Sequence, residues 1–188
     1  MRFLGLMILV GTALAVSHVP AQAQWRGYVS YDLGISFHAP GEMITERGTY
    51  VGDRSGEHPS IVFHSSANNI DYSVVVIDFR DRADDGASLA TEAAFTFQNQ
   101  KNVVMDAFAR IDETFGRKVT LDLPDNGGRT MGSFYFHNGF LYQTFATVLP
   151  ANGDYGTPFM GRFIDSLSFI EDGNARVNDD VIELSLPD

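Results

Sequence analysis

Five histidines, 24 acidic residues and no cysteine set the range of chemistry open to this chain. Beyond the first two dozen residues the histidines are His38, His58, His64 and His137. None lies three or four residues from another, so the helical histidine pair that grips zinc is missing. The lack of cysteine removes disulfides, thiolate nucleophiles and thiolate metal sites together. Asp78, Asp81, Asp84 and Asp85 crowd one segment, and oxygen-rich loops of this kind take Ca²⁺. Arg80 and Arg82 interleave with them, however, and the glycine and closing glutamate of an EF-hand are absent. Ser133 and His137 fall on the same face of one strand, a nucleophile and a base with no acid to orient the base. The stretch Gly34-Ile35-Ser36-Phe37-His38 lacks the second glycine of a nucleophile elbow. No catalytic residue, metal ligand or cofactor is assigned from these patterns.

The strongest local signal is a hairpin. Asn138-Gly139 stands between Phe134-Tyr135-Phe136-His137 and Phe140-Leu141-Tyr142, and a two-residue turn of that type fixes the register. His137 then faces Phe140, Phe136 faces Leu141, and Tyr135 faces Tyr142. Phe134, Phe136 and Leu141 share one side, and Tyr135, His137, Phe140 and Tyr142 share the other. Left open to solvent, that second group is a candidate binding surface for a protein or small ligand. Covered by a helix or loop, it is core with its hydroxyls bonded.

Around the hairpin the chain reads as strands with two helices. Trp25 to Ser30 and Gly34 to His38 are strands joined at Asp32-Leu33-Gly34. Met43 to Val51, Ile61 to Phe63 and Tyr72 to Phe79 follow. The unbroken run Val74-Val75-Val76-Ile77 marks a strand covered on both faces. Leu89, Ala93, Phe97, Val104, Phe108, Ile111 and Phe115 recur at helical spacing, predicting one long amphipathic helix from an N-cap at Ser88 to Gly116, with the dense polar run Gln98 to Asn102 as its place to break. Lys118 to Leu123 returns to strand. Thr157 and Pro158 open a second helix with Met160, Phe163, Ile164 and Leu167 inward. From Glu171 the chain is polar and acidic and reads as a loose tail. Short links between strands make the sheet mostly antiparallel, giving a single α+β domain over 24–170.

The N-terminus is an export signal by its pattern. Arg2 is followed by an apolar run from Phe3 to Val16, a break at His18-Val19-Pro20, and Ala21-Gln22-Ala23, the small-x-small motif of a cleavage site. The apolar run is shorter than the ~20 residues that span a bilayer. Cleavage between Ala23 and Gln24 leaves a periplasmic or secreted chain with no membrane span. The net charge is −11 before cleavage. Losing Arg2 makes it more negative, which argues against nucleic acid as a partner.

The segments "WRGYVSYDLGISFHAPGEM", "DYSVVVIDF", "GRKVTLDLPDNGGRTMGSFYFHNGFLYQTFATVLP" and "FMGRFIDSLSFI" together resemble small bacterial exported proteins with a PsbP-like fold, the fold of the extrinsic P subunit of photosystem II. The resemblance runs through most of 25–170. It implies a single-layer, curved, mostly antiparallel sheet with helices packed against it, an α/β/α sandwich. It also implies a binding or assembly scaffold that carries no shared catalytic residues. The expectation is a non-catalytic exported protein with a protein partner in the cell envelope. Two other classes stay open: an envelope hydrolase with a dispersed site, and a Ca²⁺-binding protein using 78–85. The sequence leaves the oligomeric state open.

The signal reading predicts that protein recovered from the envelope of a Gram-negative host begins at Gln24 by intact-mass measurement. Recovery of chains still carrying residues 1–23 would refute it.

Overall fold

A computed structural model describes residues 24–99, 102–170 and 181–187. The expected signal, 1–23, lies outside the described residues, as does 171–180. Among the described residues eleven strands form two sheets. The larger runs in the order β3 (Ile44–Gly52), β4 (Gly56–Ala67), β5 (Ile70–Asp78), β9 (Phe140–Val148), β8 (Arg129–His137), β7 (Thr114–Asp122), β6 (Val103–Ile111). Every neighbouring pair in it is antiparallel. The smaller runs β10 (Ser168–Phe169), β2 (Ile35–Pro40), β1 (Trp25–Ser30), β11 (Val181–Glu183). Two helices complete the fold, α1 (Gly86–Gln98) and α2 (Pro158–Ile164). The expected antiparallel sheet with packed helices is present, and the chain adds a second sheet as a further covering layer.

Two cores follow from the alternation of side chains along the large sheet. On one face Leu89, Ala90, Ala93, Ala94 and Phe97 of α1 pack on Ile77, Phe79, Val119, Leu121, Phe134 and Leu141. On the other, Tyr28, Ile35 and Phe37 of the small sheet and Met160, Phe163 and Ile164 of α2 pack on Phe63, Tyr72, Val74 and Val76. Val74 and Val76 therefore face one core and Ile77 the other, as the unbroken apolar run requires. Phe163 meets Tyr72 edge-on at 5.1 Å and Phe37 at 6.2 Å. Each such ring contributes roughly 1.5–3 kcal/mol by leaving water. Trp25 meets Tyr72 edge-on and lies tilted against Phe159, with the Arg162 guanidinium 4.2 Å above its ring.

The long helix is corrected. Helix α1 stops at Gln98, and Val104, Phe108 and Ile111 lie on β6, with Phe115 on β7. Spacings of three, four and seven fit this stretch, but so does strand alternation, and the tertiary sheet selects the strand. Asp112 adopts a positive φ of 50° in the two-residue turn that pairs Ile111 with Thr114. Gly116, read as a helix stop, is a close-approach position in β7: a Cβ there would overlap the Tyr135 ring and the Phe134 carbonyl. The N-terminal residue of α1 is Gly86, preceded by Asp85, so Ser88 is not the cap.

The loose tail is also corrected. Val181–Glu183 pairs in parallel with β1, Gly27 opposite Val181, and the Leu184 N–H donates to the Val29 carbonyl at 2.7 Å. Leu184 is 7% exposed and joins the larger core. The open edge of β1 supplies the backbone partners, and the apolar side chain supplies the gain. Leu184→Ala should cost about 2–4 kcal/mol in urea unfolding. A loss under ~0.5 kcal/mol, the usual surface value, would restore the loose-tail reading.

Candidate functional site

The Asn138-Gly139 hairpin forms as its sequence dictates. Asn138 and Gly139 take φ of 47° and 81°, and the rungs are His137 with Phe140, Phe136 with Leu141, and Tyr135 with Tyr142. Gly139 is required twice over, because Arg80 passes within 2.6 Å of where a Cβ would sit. The division of faces also holds: Phe134 and Leu141 lie under α1, while Tyr135 and Tyr142 belong to the opposite core.

As an exposed surface, however, the group Tyr135, His137, Phe140 and Tyr142 is corrected. Tyr135 and Tyr142 are 3% and 1% exposed. Phe169 of β10 covers them, stacked on His137 at 4.2 Å, with Tyr142 at 5.1 Å and Tyr135 edge-on at 6.3 Å. The Tyr142 hydroxyl donates to the Leu33 carbonyl at 2.8 Å. Phe140 is half-buried beneath the Arg80 guanidinium, 5.1 Å from its ring. Burial raises the Tyr142 phenol well above its ordinary range. Burial first, and then the Asp165 carboxylate, push Tyr135 up to about 12. Burial likewise pushes Tyr72 to about 12. The bond to Leu33 makes the Tyr142 hydroxyl a structural one.

The other chemistry-bearing residues are dispersed. The Ser133 hydroxyl is buried and bonded to Thr144 at 2.6 Å, while the His137 Nδ1 meets Thr114 at 2.9 Å. No nucleophile–base pair forms between them. In the acidic segment Arg80 forks onto Asp78 and Arg82 onto Asp85. Hydrogen bonds from Arg80 hold the Asp78 carboxyl below its ordinary value. Among the described residues no group of three or more histidines and carboxylates is placed to hold a metal ion. His38 is half-buried, its backbone N–H donates to the Ser166 hydroxyl, and burial and then Arg162 lower the pKa of its ring.

What sequence reasoning missed is the β6–β7 hairpin. Phe108 is 84% exposed and Phe115 72% exposed, with Val103, Val104 and Met105 also open to solvent. By alternation Phe108 and Phe115 share the α1 side of the sheet with Val119, which α1 covers; the two phenylalanines lie beyond that cover. Arg117 lies 4.8 Å above the Phe108 ring and also forks onto Asp106. On the opposite side, β6, β7 and the end of α2 enclose a cleft of about 330 Å³. Met105, Ala109 and Ile111 line its wall, Tyr135 its floor, and the Lys118–Asp165 ion pair its rim. Tyr135 is thus the one expected site residue that reaches this surface. The strand-like alternation of 103–111 and the tight turn after it were the signals available.

No protein-family model matches the chain, and no curated protein does. Among solved structures it is similar to the solution structure of cyanobacterial PsbP (CyanoP) from Synechocystis sp. PCC 6803. The TM-score is 0.52 at 14% identity, covering 85% of this chain and 98% of that one. The fold is therefore PsbP-like, as the sequence segments suggested.

The buried tyrosines set an alkaline limit. Their folded pKa values exceed the unfolded value of ~10, so their contribution is complete below pH ~10 and is lost as pH rises through about 12. Urea unfolding should show stability falling above pH ~10, and Phe169→Ala should bring tyrosinate absorbance in closer to pH ~10. Unchanged tyrosinate titration in that variant would show that Phe169 does not seal the face.

Proposed function

We propose that this chain is an exported, non-catalytic binding or assembly protein that engages a protein partner in the cell envelope through its β6–β7 hairpin. The observation that carries the reading is the exposure of Phe108 and Phe115, 84% and 72%, on the turn half of a hairpin, beyond the cover that α1 gives Val119 and Leu121 on the same side. Clustered exposed aromatic residues are characteristic of interaction surfaces. Their rings carry a large apolar area, and Arg117 beside Phe108 adds a hydrogen-bonding rim of the kind found at energetic centres of interfaces.

Two further observations support it. The PsbP-like neighbour shares the fold over nearly its whole length, and in this chain that fold is a sheet covered by two helices and a second sheet. His137 and Ser133 are tied into local hydrogen bonds, and Asp78 and Asp85 into ion pairs, which favours a binding role over a catalytic one. Export is supported by the N-terminal pattern, and β1 begins at Trp25, two residues past the expected cleavage point.

A photo-crosslinker placed at position 108 of the mature chain tests the reading in intact envelopes. A specific crosslinked protein that disappears on Phe115→Ser is expected. Phe108→Ser and Phe115→Ser should each change unfolding free energy by less than ~0.5 kcal/mol, as surface positions do. Capture no greater than that of a matched acidic control protein would overturn it.

A further inference from the structure

Strand β6 ends the large sheet, and among the described residues no strand pairs with its outer edge. The opposite edge strand, β3, is in contact with the C-terminal segment, where Arg47 Nη2 donates to the Pro187 carbonyl at 2.8 Å. An open edge is a template for another strand. In a two-residue hairpin the pair flanking the turn exchanges its hydrogen bonds, and the pattern alternates from there. Ile111, Ala109 and Ala107 therefore bond to β7, while the backbone groups of Arg110, Phe108 and Asp106 point outward.

That phase allows an antiparallel partner only in registers that set these outward residues opposite one another. One register of β6 against its own copy is self-complementary. With Phe108 opposite Phe108 of the partner subunit, Asp106 falls opposite Arg110 of the partner subunit, and Arg110 opposite Asp106 of the partner subunit. Ala107 then meets Ala109 of the partner subunit, and Met105 meets Ile111 of the partner subunit. Shifting to the next permitted register breaks both charge pairs. Arg110 is exposed and makes no ion pair among the described residues, while Asp106 is held by Arg117 and Gln98 with its side chain partly open to solvent, so a second arginine can share its carboxylate. Opposite charges directly across strands attract and like charges repel. A two-fold axis at Phe108 satisfies the requirement that a closed dimer interface be self-complementary.

We infer that the occupant of the β6 edge is a second copy of this chain, paired antiparallel about Phe108. The inference rests on the proposal that this hairpin is the binding surface and names its partner. The two exposed Phe108 rings become neighbours, the large sheets join, and the two-fold axis, normal to the sheet, leaves both clefts on one side of the joined sheet. A strand pair alone is a small interface, so the dimer is concentration-dependent.

Sedimentation of the chain from Gln24 across a concentration series tests this, with charge swaps as the discriminating arm. Arg110→Glu puts acids at both positions of the pair and Asp106→Arg puts bases at both. Each variant alone should self-associate about tenfold more weakly. Mixing the two should restore dimers, as mixed pairs only, and the double variant carrying both changes should dimerise by itself. Circular dichroism of each variant confirms that it folds. A chain that stays monomeric throughout, or dimers indifferent to the swaps, would overturn the inference. In that case Asp106 and Arg110 act as edge-guarding charges. Envelope crosslinking at position 108 separates the two failures: capture of a different protein keeps the surface and overturns the second copy as its occupant, and no capture overturns both.

Discussion

A seven-stranded sheet with apolar side chains on both faces has to be covered twice. Everything else in this protein follows from that requirement. Helix α1 covers one face through Leu89, Ala93 and Phe97, and the small sheet with α2 covers the other through Phe37, Ile164 and Phe163. No disulfide assists, since the chain has no cysteine. Interlocked rings take that role: Phe97 sits 5.4 Å from Phe134 and 5.3 Å from Phe145, and Phe163 lies between Phe37 and Tyr72. Close packing of large rigid side chains gives such a core its single arrangement.

The same requirement shows where binding is available. Cover is complete over β5, β9 and β8 and runs out at β6 and the turn end of β7. The hydrophobic residues there, Phe108 and Phe115 above all, belong to the fold's pattern but have no partner layer within the described residues. On the reverse side the end of α2 and the Lys118–Asp165 pair form a shallow cleft rather than a sealed core. One hairpin thus combines an open backbone edge, exposed aromatic rings and paired charges. The tyrosines that looked most suited to binding are buried for the opposite reason: Phe169 reaches across from the small sheet and closes their face.

Much of this was legible in the chain. The Asn138-Gly139 turn fixed a register because few residues tolerate two successive positive φ values. The run Val74 to Ile77 announced two-sided burial, and Thr157-Pro158 announced α2. Residues 104–115 were misread because apolar spacing there satisfies both periods, and a strand at a sheet edge draws its stability from β7 rather than from its own propensity. The short strand Val181–Glu183 was misread because three residues after the acidic pair Asp179-Asp180 carry too little local signal. Only the open edge of β1, far away in sequence, gives them a place.

By itself, then, the sequence determined local turns, strand alternation, the two-sided burial of the central strands and the PsbP-like segments, because each depends on residues adjacent along the chain. The tertiary structure alone decided which aromatic face is sealed and which stays open. Exposure depends on which distant element arrives to cover a surface. The tyrosine face meets Phe169, more than twenty residues on in the chain from Tyr142, and the β6 edge pairs with no described strand.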